Sequence, residues 1–158
     1  MAHVPDPGPP QTADTPGELV SHLDRVMRHY RQRMDHELKG LPGGMQGYRI
    51  LAAVAWRDLP NQQAIGTYLS IDRTVLTYQI DALAAAQLVE RIPAARDRRA
   101  RKVVATNKGV AMLEKLTQRV ADAEADLFAE LTDAEAEAFK ALAHRLAEAT
   151  ALRAVTLT

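Results

Sequence analysis

The chain has 158 residues, with equal numbers of basic and acidic side chains, and 47% of its residues are apolar. It contains no cysteine, which excludes disulfides, cysteine-ligated zinc and thiol redox chemistry. It has no apolar run of about eighteen residues and no secretory pattern at its N-terminus, so we expect neither a membrane span nor a signal peptide. A mainly helical, cytoplasmic protein is the simplest expectation.

The N-terminal part divides into an arm and a helix. Residues 1–16 contain five prolines and little to bury, which predicts a flexible arm. Residues 17–39 follow a helical pattern, and two kinds of helix breaker end it between Gly40 and Gly44. The apolar stripe of this helix is Leu19, Leu23, Val26, Met27, Tyr30, Met34 and Leu38.

Three shorter helices are predicted next. The first covers residues 45–58 and stops before Pro60, and its stripe is Ile50, Leu51, Val54 and Ala55. Asn61 is a plausible N-cap for a helix over 62–68, with Ile65 and Leu69 facing inward. A tight turn, Ser70-Ile71-Asp72, then leads to a helix over 73–86, whose inner face is Leu76, Ile80 and Leu83.

A strongly basic segment follows. Residues 91–102 carry six basic side chains against one acidic one, a local charge of +5. Short apolar runs flank this segment, so we predict a β-hairpin with strands 88–92 and 102–106 and a charged tip. An isolated charge run would most simply be a solvated loop, so the neighbouring helices decide its meaning.

Two more helices complete the chain. One is predicted from Asn107 to near Glu130, with the stripe Val110, Leu113, Leu116, Val120, Ala123 and Leu127. The other begins at Thr132 with a capping box that ends in Glu135, and its stripe is Phe139, Leu142 and Leu146. The predicted fold class is mainly α with a small β-hairpin.

Two short helices joined by a three-residue turn are typical of a helix-turn-helix, and an arginine-rich hairpin directly after them makes a winged helix-turn-helix. The helix over 73–86 fits the major groove of DNA, where Thr74 and Thr77 can bond to bases or phosphates. Val75 can contact a thymine methyl group, while Arg73 and Tyr78 can reach phosphates. Arginines at the hairpin tip suit a narrow minor groove.

The same segment resembles the MarR family of bacterial regulators. The resemblance rests on Ile71-Asp72-Arg73-Thr74, Ile80-Asp81-Ala82-Leu83, Leu88-Val89-Glu90-Arg91, Asp97-Arg98-Arg99-Ala100 and Thr106-Asn107-Lys108-Gly109. It implies that Arg99 enters the minor groove and that Asp97 orients it, which leaves Arg96, Arg98 and Arg101 as phosphate contacts. The chain departs from the family pattern at Gln87, where glycine is usual, at Tyr78 and at Ala105.

The resemblance also implies a homodimer and a ligand. Residues 17–44 and 107–158 would form a helical dimerisation region, and residues 45–106 the winged helix-turn-helix lobe that binds double-stranded DNA. The apolar stripes of the outer helices are consistent with pairing across a two-fold axis. A small aromatic or anionic effector would bind between the two regions, near His29, Tyr30, Met34 and Trp56, and release a repressor from a pseudo-palindromic operator.

Other functions have weaker support. His22, His29 and His36 lie seven residues apart, about 10.5 Å along a helix, which is too far for one metal ion. We find no constellation for catalysis, no cofactor motif and no metal motif, so we expect no enzyme. A winged-helix module that binds proteins but not DNA remains the alternative, although its wing would not need five arginines.

Overall fold

The computed structural model describes residues 15–94 and 101–156, with side chains up to residue 150. In chain order the elements are α1 (Glu18–Glu37), α2 (Gly44–Trp56), α3 (Gln62–Leu69), α4 (Arg73–Ala85), β1 (Val89–Pro93), β2 (Arg101–Ala105), α5 (Asn107–Leu127) and α6 (Asp133–Thr156). Strands β1 and β2 form one antiparallel pair. The predicted fold class, mainly helical with a small hairpin, is confirmed. The predicted arm, residues 1–16, lies almost entirely outside the described residues.

Local capping sets the boundaries of α3 and α4. The Asn61 side chain accepts a hydrogen bond from the Ala64 amide at 2.9 Å, so it is the N-cap that the sequence predicts. Ser70 closes α3 in the left-handed region, with φ of 53°. The Asp72 carboxylate then accepts from the Thr74 amide at 2.8 Å, and these backbone bonds hold its pKa below the ordinary value. A three-residue turn therefore joins two separately capped helices.

The hairpin starts and ends one residue away from the predicted strands. Val89 pairs with Ala105 and Pro93 with Arg101, so the strands are 89–93 and 101–105 and not 88–92 and 102–106. Leu88 still belongs to the turn after α4, because its amide donates to the Leu83 carbonyl at 2.9 Å. Thr106 is the N-cap of α5, since its hydroxyl accepts from the Gly109 amide at 3.0 Å. Leu88 therefore belongs to the turn after α4 and Thr106 to the start of α5, and neither is part of a strand.

The start of α5 packs unusually close to the hairpin. A Cβ atom on Gly109 would lie 2.0 Å from the Leu88 carbonyl oxygen, so a larger residue would force the backbone apart. The Thr106 hydroxyl also donates to the Gln87 carbonyl at 2.7 Å. These contacts fix the hairpin against α5.

The core lies beneath α2, α4 and the hairpin. The predicted inner faces of α3 and α4 are confirmed, since Ile65, Leu76, Ile80 and Leu83 are at most 1% exposed. The other large, fully buried side chains are Met34, Leu38, Ile50, Leu51 and Leu113. Val110 departs from the predicted stripe of α5 and is 40% exposed, because Gly109 occupies the contact with the hairpin.

The apolar stripes of α1 and α6 remain largely exposed in the single chain. Met34 and Leu38 are buried, whereas Leu19 is 62% and Leu23 is 48% exposed. The predicted capping box of α6 forms, because the Thr132 amide donates to Glu135 at 2.8 Å and the Glu135 amide donates back to the Thr132 hydroxyl at 3.3 Å. Farther along α6, the stripe residues Phe139, Leu142 and Leu146 are exposed. In the described part of the chain, no helix combines the length and apolar character needed to cross a membrane.

Candidate nucleic-acid interface and ligand cavity

Helix α4 presents an outer face that the core does not use. Leu76, Ile80 and Leu83 hold the helix by its inner face. On the opposite face Val75 is 46% and Tyr78 is 71% exposed. Arg73 and Thr74 are exposed in the first turn. This exposed face carries cationic, hydroxyl and apolar groups together, which is the mixture that base edges and phosphates accept.

Thr77 is placed differently from its neighbours on α4. Its side chain is partly buried, and its hydroxyl donates to the Arg73 carbonyl at 2.9 Å. The same oxygen accepts from the Gln62 side-chain amide at 2.7 Å. The single hydroxyl proton of Thr77 is therefore committed inside the protein. Sequence reasoning missed Gln62, because nothing local indicates a bond that joins α3 to α4.

A cleft of about 810 Å³ lies between the helix-turn-helix and the hairpin. Three arginines line it: Arg73 from α4, Arg91 from β1 and Arg101 from β2. Polar side chains of α3 complete the wall, namely Asn61, Gln62, Gln63 and Thr67. Cationic and amide groups in one concave surface attract anions, and a nucleic-acid backbone is a polyanion that such a surface can bind.

Two ion pairs position the hairpin against the helices. The Arg91 guanidinium donates to the Asp81 carboxylate of α4 at 2.7 Å. The Lys102 ammonium lies 2.5 Å from Asp58, just after α2, and holds the pKa of that carboxyl below its usual value. The positions predicted for minor-groove and phosphate contact, Arg96, Asp97, Arg98 and Arg99, lie outside the described residues. Arg101 lies in β2 and is exposed.

A second cavity, of about 590 Å³, lies between α1, α2 and α5. Of the residues expected at a ligand site, Tyr30, Met34 and Trp56 line it. His29 instead lines a smaller neighbouring cavity of about 230 Å³ with Arg33 and Asp126. The other residues of the larger cavity are Met27, Arg31, Asp35, Met45, Tyr48, Arg49, Thr117, Val120, Ala121 and Glu124.

Two hydrogen-bonded pairs form the polar wall of this cavity. The Tyr30 hydroxyl donates to the Glu124 carboxylate at 2.9 Å. Burial and this bond raise the pKa of Tyr30 above its ordinary value of 10.0. The Tyr48 hydroxyl lies 3.3 Å from the Thr117 hydroxyl. Sequence reasoning missed Glu124 and Thr117, yet a signal existed, since both are polar residues within the apolar stripe of α5.

The histidines of α1 do not form a metal centre with their neighbours. In residues 15–94 and 101–156, no group of three His, Cys, Asp or Glu side chains converges as metal ligands would.

Comparison with known proteins finds a family model that matches part of the chain and solved structures that resemble the whole fold. Residues 45–100 match the sequence model of the MarR family. Over 95% of this chain and 99% of the other, the structure resembles the PcaV transcriptional regulator from Streptomyces coelicolor in complex with its natural ligand, with a TM-score of 0.69 and 23% identity. Apo MarR from E. coli gives a TM-score of 0.68 and 24% identity over 84% of this chain and 97% of the other.

A third similar structure contains nucleic acid. It is the transcriptional repressor CouR bound to a 23-mer DNA duplex, with a TM-score of 0.75 and 25% identity over 83% of this chain and 96% of the other. No curated protein sequence matches the chain in direct comparison. The structural likeness establishes the fold, and the sequence model covers the helix-turn-helix with most of its hairpin. Residues 45–100 therefore match the MarR family in sequence, and the chain as a whole resembles these regulators in fold.

Proposed function

We propose that this protein is a sequence-specific DNA-binding regulator, a ligand-responsive homodimeric repressor and not an enzyme. The observation that carries the proposal is the outer face of α4. There Val75 and Tyr78 are exposed beside Arg73 and Thr74. Exposed apolar side chains that lie together on one surface are typical of a binding site, because their burial in the core would otherwise be favourable. On a capped helix next to a basic cleft, such apolar groups are better accommodated against base edges in a major groove than exposed to solvent.

The hairpin supports the same proposal. The arginine-rich segment 94–100 connects its two strands, and two ion pairs, to Asp81 and Asp58, hold these strands against the helices. In this proposal Arg99 reads the minor groove, oriented by Asp97, and Arg96, Arg98 and Arg101 contact phosphates. Arg73, Thr74, Val75 and Tyr78 occupy the major groove, and Thr77 joins them through its methyl group, since its hydroxyl proton is donated to the Arg73 carbonyl. Residues 45–106 are the lobe that binds DNA.

A homodimer follows from the exposed stripes of the outer helices. On α1, Leu19 and Val20 are 62% and 70% exposed, and on α6, Leu142 and Leu146 are 54% and 66% exposed. Helix α6 packs on the rest of the described chain near its beginning, where the rings of Phe128 and Phe139 lie 5.6 Å apart. A second copy of residues 17–44 and 107–158 would bury these stripes and place two α4 helices about 34 Å apart.

Ligand response is the remaining part of the proposal. The 590 Å³ cavity lies where α2, from the DNA-binding lobe, meets α1 and α5, from the dimerisation region. It is large enough for a small organic molecule, and Tyr30, Met34 and Trp56 would contact it. The similar PcaV structure contains that protein's natural ligand. A ligand that binds one arrangement of the two regions better than another shifts their populations, and with them the spacing of the α4 helices.

The test begins with DNA. Random duplexes captured by the purified protein are sequenced, and an enriched pseudo-palindrome is then measured by fluorescence anisotropy at several salt concentrations. We expect affinity to fall steeply with salt, and Arg99→Ala to weaken binding by about 1–3 kcal/mol without changing the oligomeric state. Arg119→Ala is the matched control, because Arg119 is an exposed arginine on α5.

Two outcomes would contradict the proposal. If no duplex is enriched and none binds at low salt, the winged helix would be a protein-interaction module. If Arg99→Ala binds as tightly as Arg119→Ala, the minor-groove role of Arg99 is wrong. Light scattering of the same samples tests the dimer, and Leu146→Lys should shift the mass toward the monomer, since it places a charge in the exposed stripe of α6.

A further inference from the structure

The hydroxyl groups on the polar wall of the 590 Å³ cavity have already donated their protons to groups within the protein. Thr117 has one hydroxyl proton, and it donates that proton to the Leu113 carbonyl at 2.8 Å. The Tyr48 hydroxyl must therefore be the donor in its 3.3 Å bond to Thr117. Tyr30 likewise gives its proton to Glu124 at 2.9 Å. None of these hydroxyl protons is left for a ligand.

Acceptor capacity remains at the same wall. Glu124 accepts from Tyr30 through one carboxylate oxygen, and no residue in the described part of the chain donates to its second oxygen. The oxygens of Tyr30 and Tyr48 keep lone pairs, and no described residue donates to them. Glu124, Tyr30 and Tyr48 are all partly buried. An anionic group placed here would meet a carboxylate and two oxygen atoms, without a proton to receive.

The charged groups at the mouth of the cavity do not reverse this preference. Arg31, Asp35 and Arg49 are exposed, and their charges are of mixed sign. Arg49 already donates to the Gln46 side chain and to the Leu69 carbonyl, each at 3.0 Å. Lys140 attracts Glu124 weakly, but its ammonium is paired with Glu137 at 2.9 Å. Exposed charges of this kind are screened by water and salt.

The rest of the lining is apolar and polarisable. It comprises Met27, Met34, Met45, Val120 and Ala121 together with the indole of Trp56, which is 61% exposed. Thioether groups pack well against aromatic rings, and an indole face attracts organic cations. The lining therefore favours an aromatic body that carries a positive or proton-donating group.

We propose that this cavity binds a small aromatic molecule bearing a hydrogen-bond donor, foremost a protonated amine, with Glu124 as its counter-ion. Of the expected aromatic or anionic effectors, this keeps the aromatic body and replaces the anionic group with a cationic one. Binding in the cavity does not depend on DNA, but the regulatory meaning of the ligand rests on the proposed function.

The sole tryptophan of the chain gives a direct measurement, because Trp56 lines the cavity. The fluorescence of the purified full-length protein is titrated with aryl-alkyl amines and with carboxylates of matched skeleton, such as 2-phenylethylamine and 3-phenylpropionate. We expect the amines to bind at least about tenfold more tightly, as charge-assisted bonds do. Tighter binding of the carboxylates, or no binding of any amine at millimolar concentration, would overturn the proposal.

A variant then locates the charge. Glu124→Gln keeps the shape of the side chain and an acceptor for Tyr30 but removes the charge, so amine affinity should fall about tenfold. Glu114→Gln, an exposed change on the same helix, should leave it unaltered. Equal amine affinity in both variants would contradict the role of Glu124. If Glu124→Gln fails to fold, judged by circular dichroism, the amine–carboxylate comparison in the unchanged protein still decides the matter.

DNA binding is measured separately, by anisotropy with and without amine. Loss of DNA binding in all conditions would contradict the proposed function and leave the fluorescence result intact. Amine selectivity without any effect on DNA affinity would support the cavity's chemistry and contradict its regulatory role.

Discussion

The hydroxyl groups of Thr77 and Tyr78, two neighbours on α4, should have different roles, one in folding stability and the other in DNA affinity. Thr77 is adjacent to Tyr78, yet its hydroxyl is bonded within the protein while the Tyr78 side chain is 71% exposed. Thr77→Val and Tyr78→Phe each remove one hydroxyl and keep the shape of the side chain. We expect the first change to reduce stability and the second to reduce DNA affinity.

The structure sets the size of each effect. Thr77→Val removes the bond to the Arg73 carbonyl and takes the acceptor from Gln62. Each such bond contributes about 0.5–1.5 kcal/mol, and water at the cleft can replace part of the Gln62 bond. A loss of about 1 kcal/mol, or about 2–4 °C in Tm, follows for a chain of this size. Tyr78→Phe deletes a solvated hydroxyl, so its free energy of unfolding should change by less than about 0.5 kcal/mol.

DNA affinity should show the reverse order. The Thr77 proton is already donated, and its methyl group survives in valine, so Thr77→Val should alter affinity by no more than about threefold. Tyr78→Phe loses a contact to phosphate, which costs about 1–3 kcal/mol when the acceptor is charged. Urea denaturation and anisotropy on the enriched duplex measure the two quantities. A Thr77→Val protein that is fully stable but loses DNA affinity would refute the argument, as would a Tyr78→Phe protein that binds normally.

Three further changes test the fold and the cavity. Gln87 has φ of 62°, a backbone conformation that costs most residues about 1–2 kcal/mol. Gln87→Gly should therefore raise the free energy of unfolding by about 0.5–1 kcal/mol, because the greater conformational entropy of glycine in the unfolded chain offsets part of the gain, whereas Gln87→Ala should not raise it. Equal denaturation midpoints for the two variants would contradict this. Gly109→Ala should destabilise by more than about 2 kcal/mol, since its Cβ would meet the Leu88 carbonyl, and calorimetry with an unchanged Tm would show that the contact can relax. Because the pKa of Tyr30 is raised in the folded protein, its contribution to the free energy of unfolding is fully present below pH 10.0 and decreases above it, where the unfolded tyrosine ionises first. Tyr30→Phe should therefore reduce the loss of stability seen in denaturation between pH 9 and 11. An unaltered pH profile would count against the pairing with Glu124.

Local signals explain why much of the fold could be predicted. Asn61 and Asp72 cap the helices that follow them within three residues, and Thr132 and Glu135 do the same for α6. Gln87, at a position where the MarR family usually has glycine, adopts a positive φ of 62° in the turn after α4. The inner face of α4 is readable because its spacing fixes Leu76, Ile80 and Leu83 on one side.

Contacts between distant residues explain what the sequence could not provide. The hairpin bounds were wrong by one residue because Thr106 caps α5 and Leu88 bonds back to Leu83, and both bonds depend on packing. The wall of the cavity joins Tyr30 to Glu124, which are 94 residues apart. Helical periodicity places each of them on a face, but it does not tell which faces meet.

Helix α2 is where the two proposed regions of the protein can influence each other. Met45, Tyr48 and Trp56 form one wall of the cavity, while Ile50, Leu51 and Ala53 lie in the core against α4 and the hairpin. Arg49 stands at the cavity mouth, and its guanidinium bonds to the Leu69 carbonyl at the end of α3. A close-packed helix moves as a unit, because its side chains have no room to absorb a shift. A ligand that displaces α2 from α1 therefore acts on the helix-turn-helix directly, without any change within α4 itself.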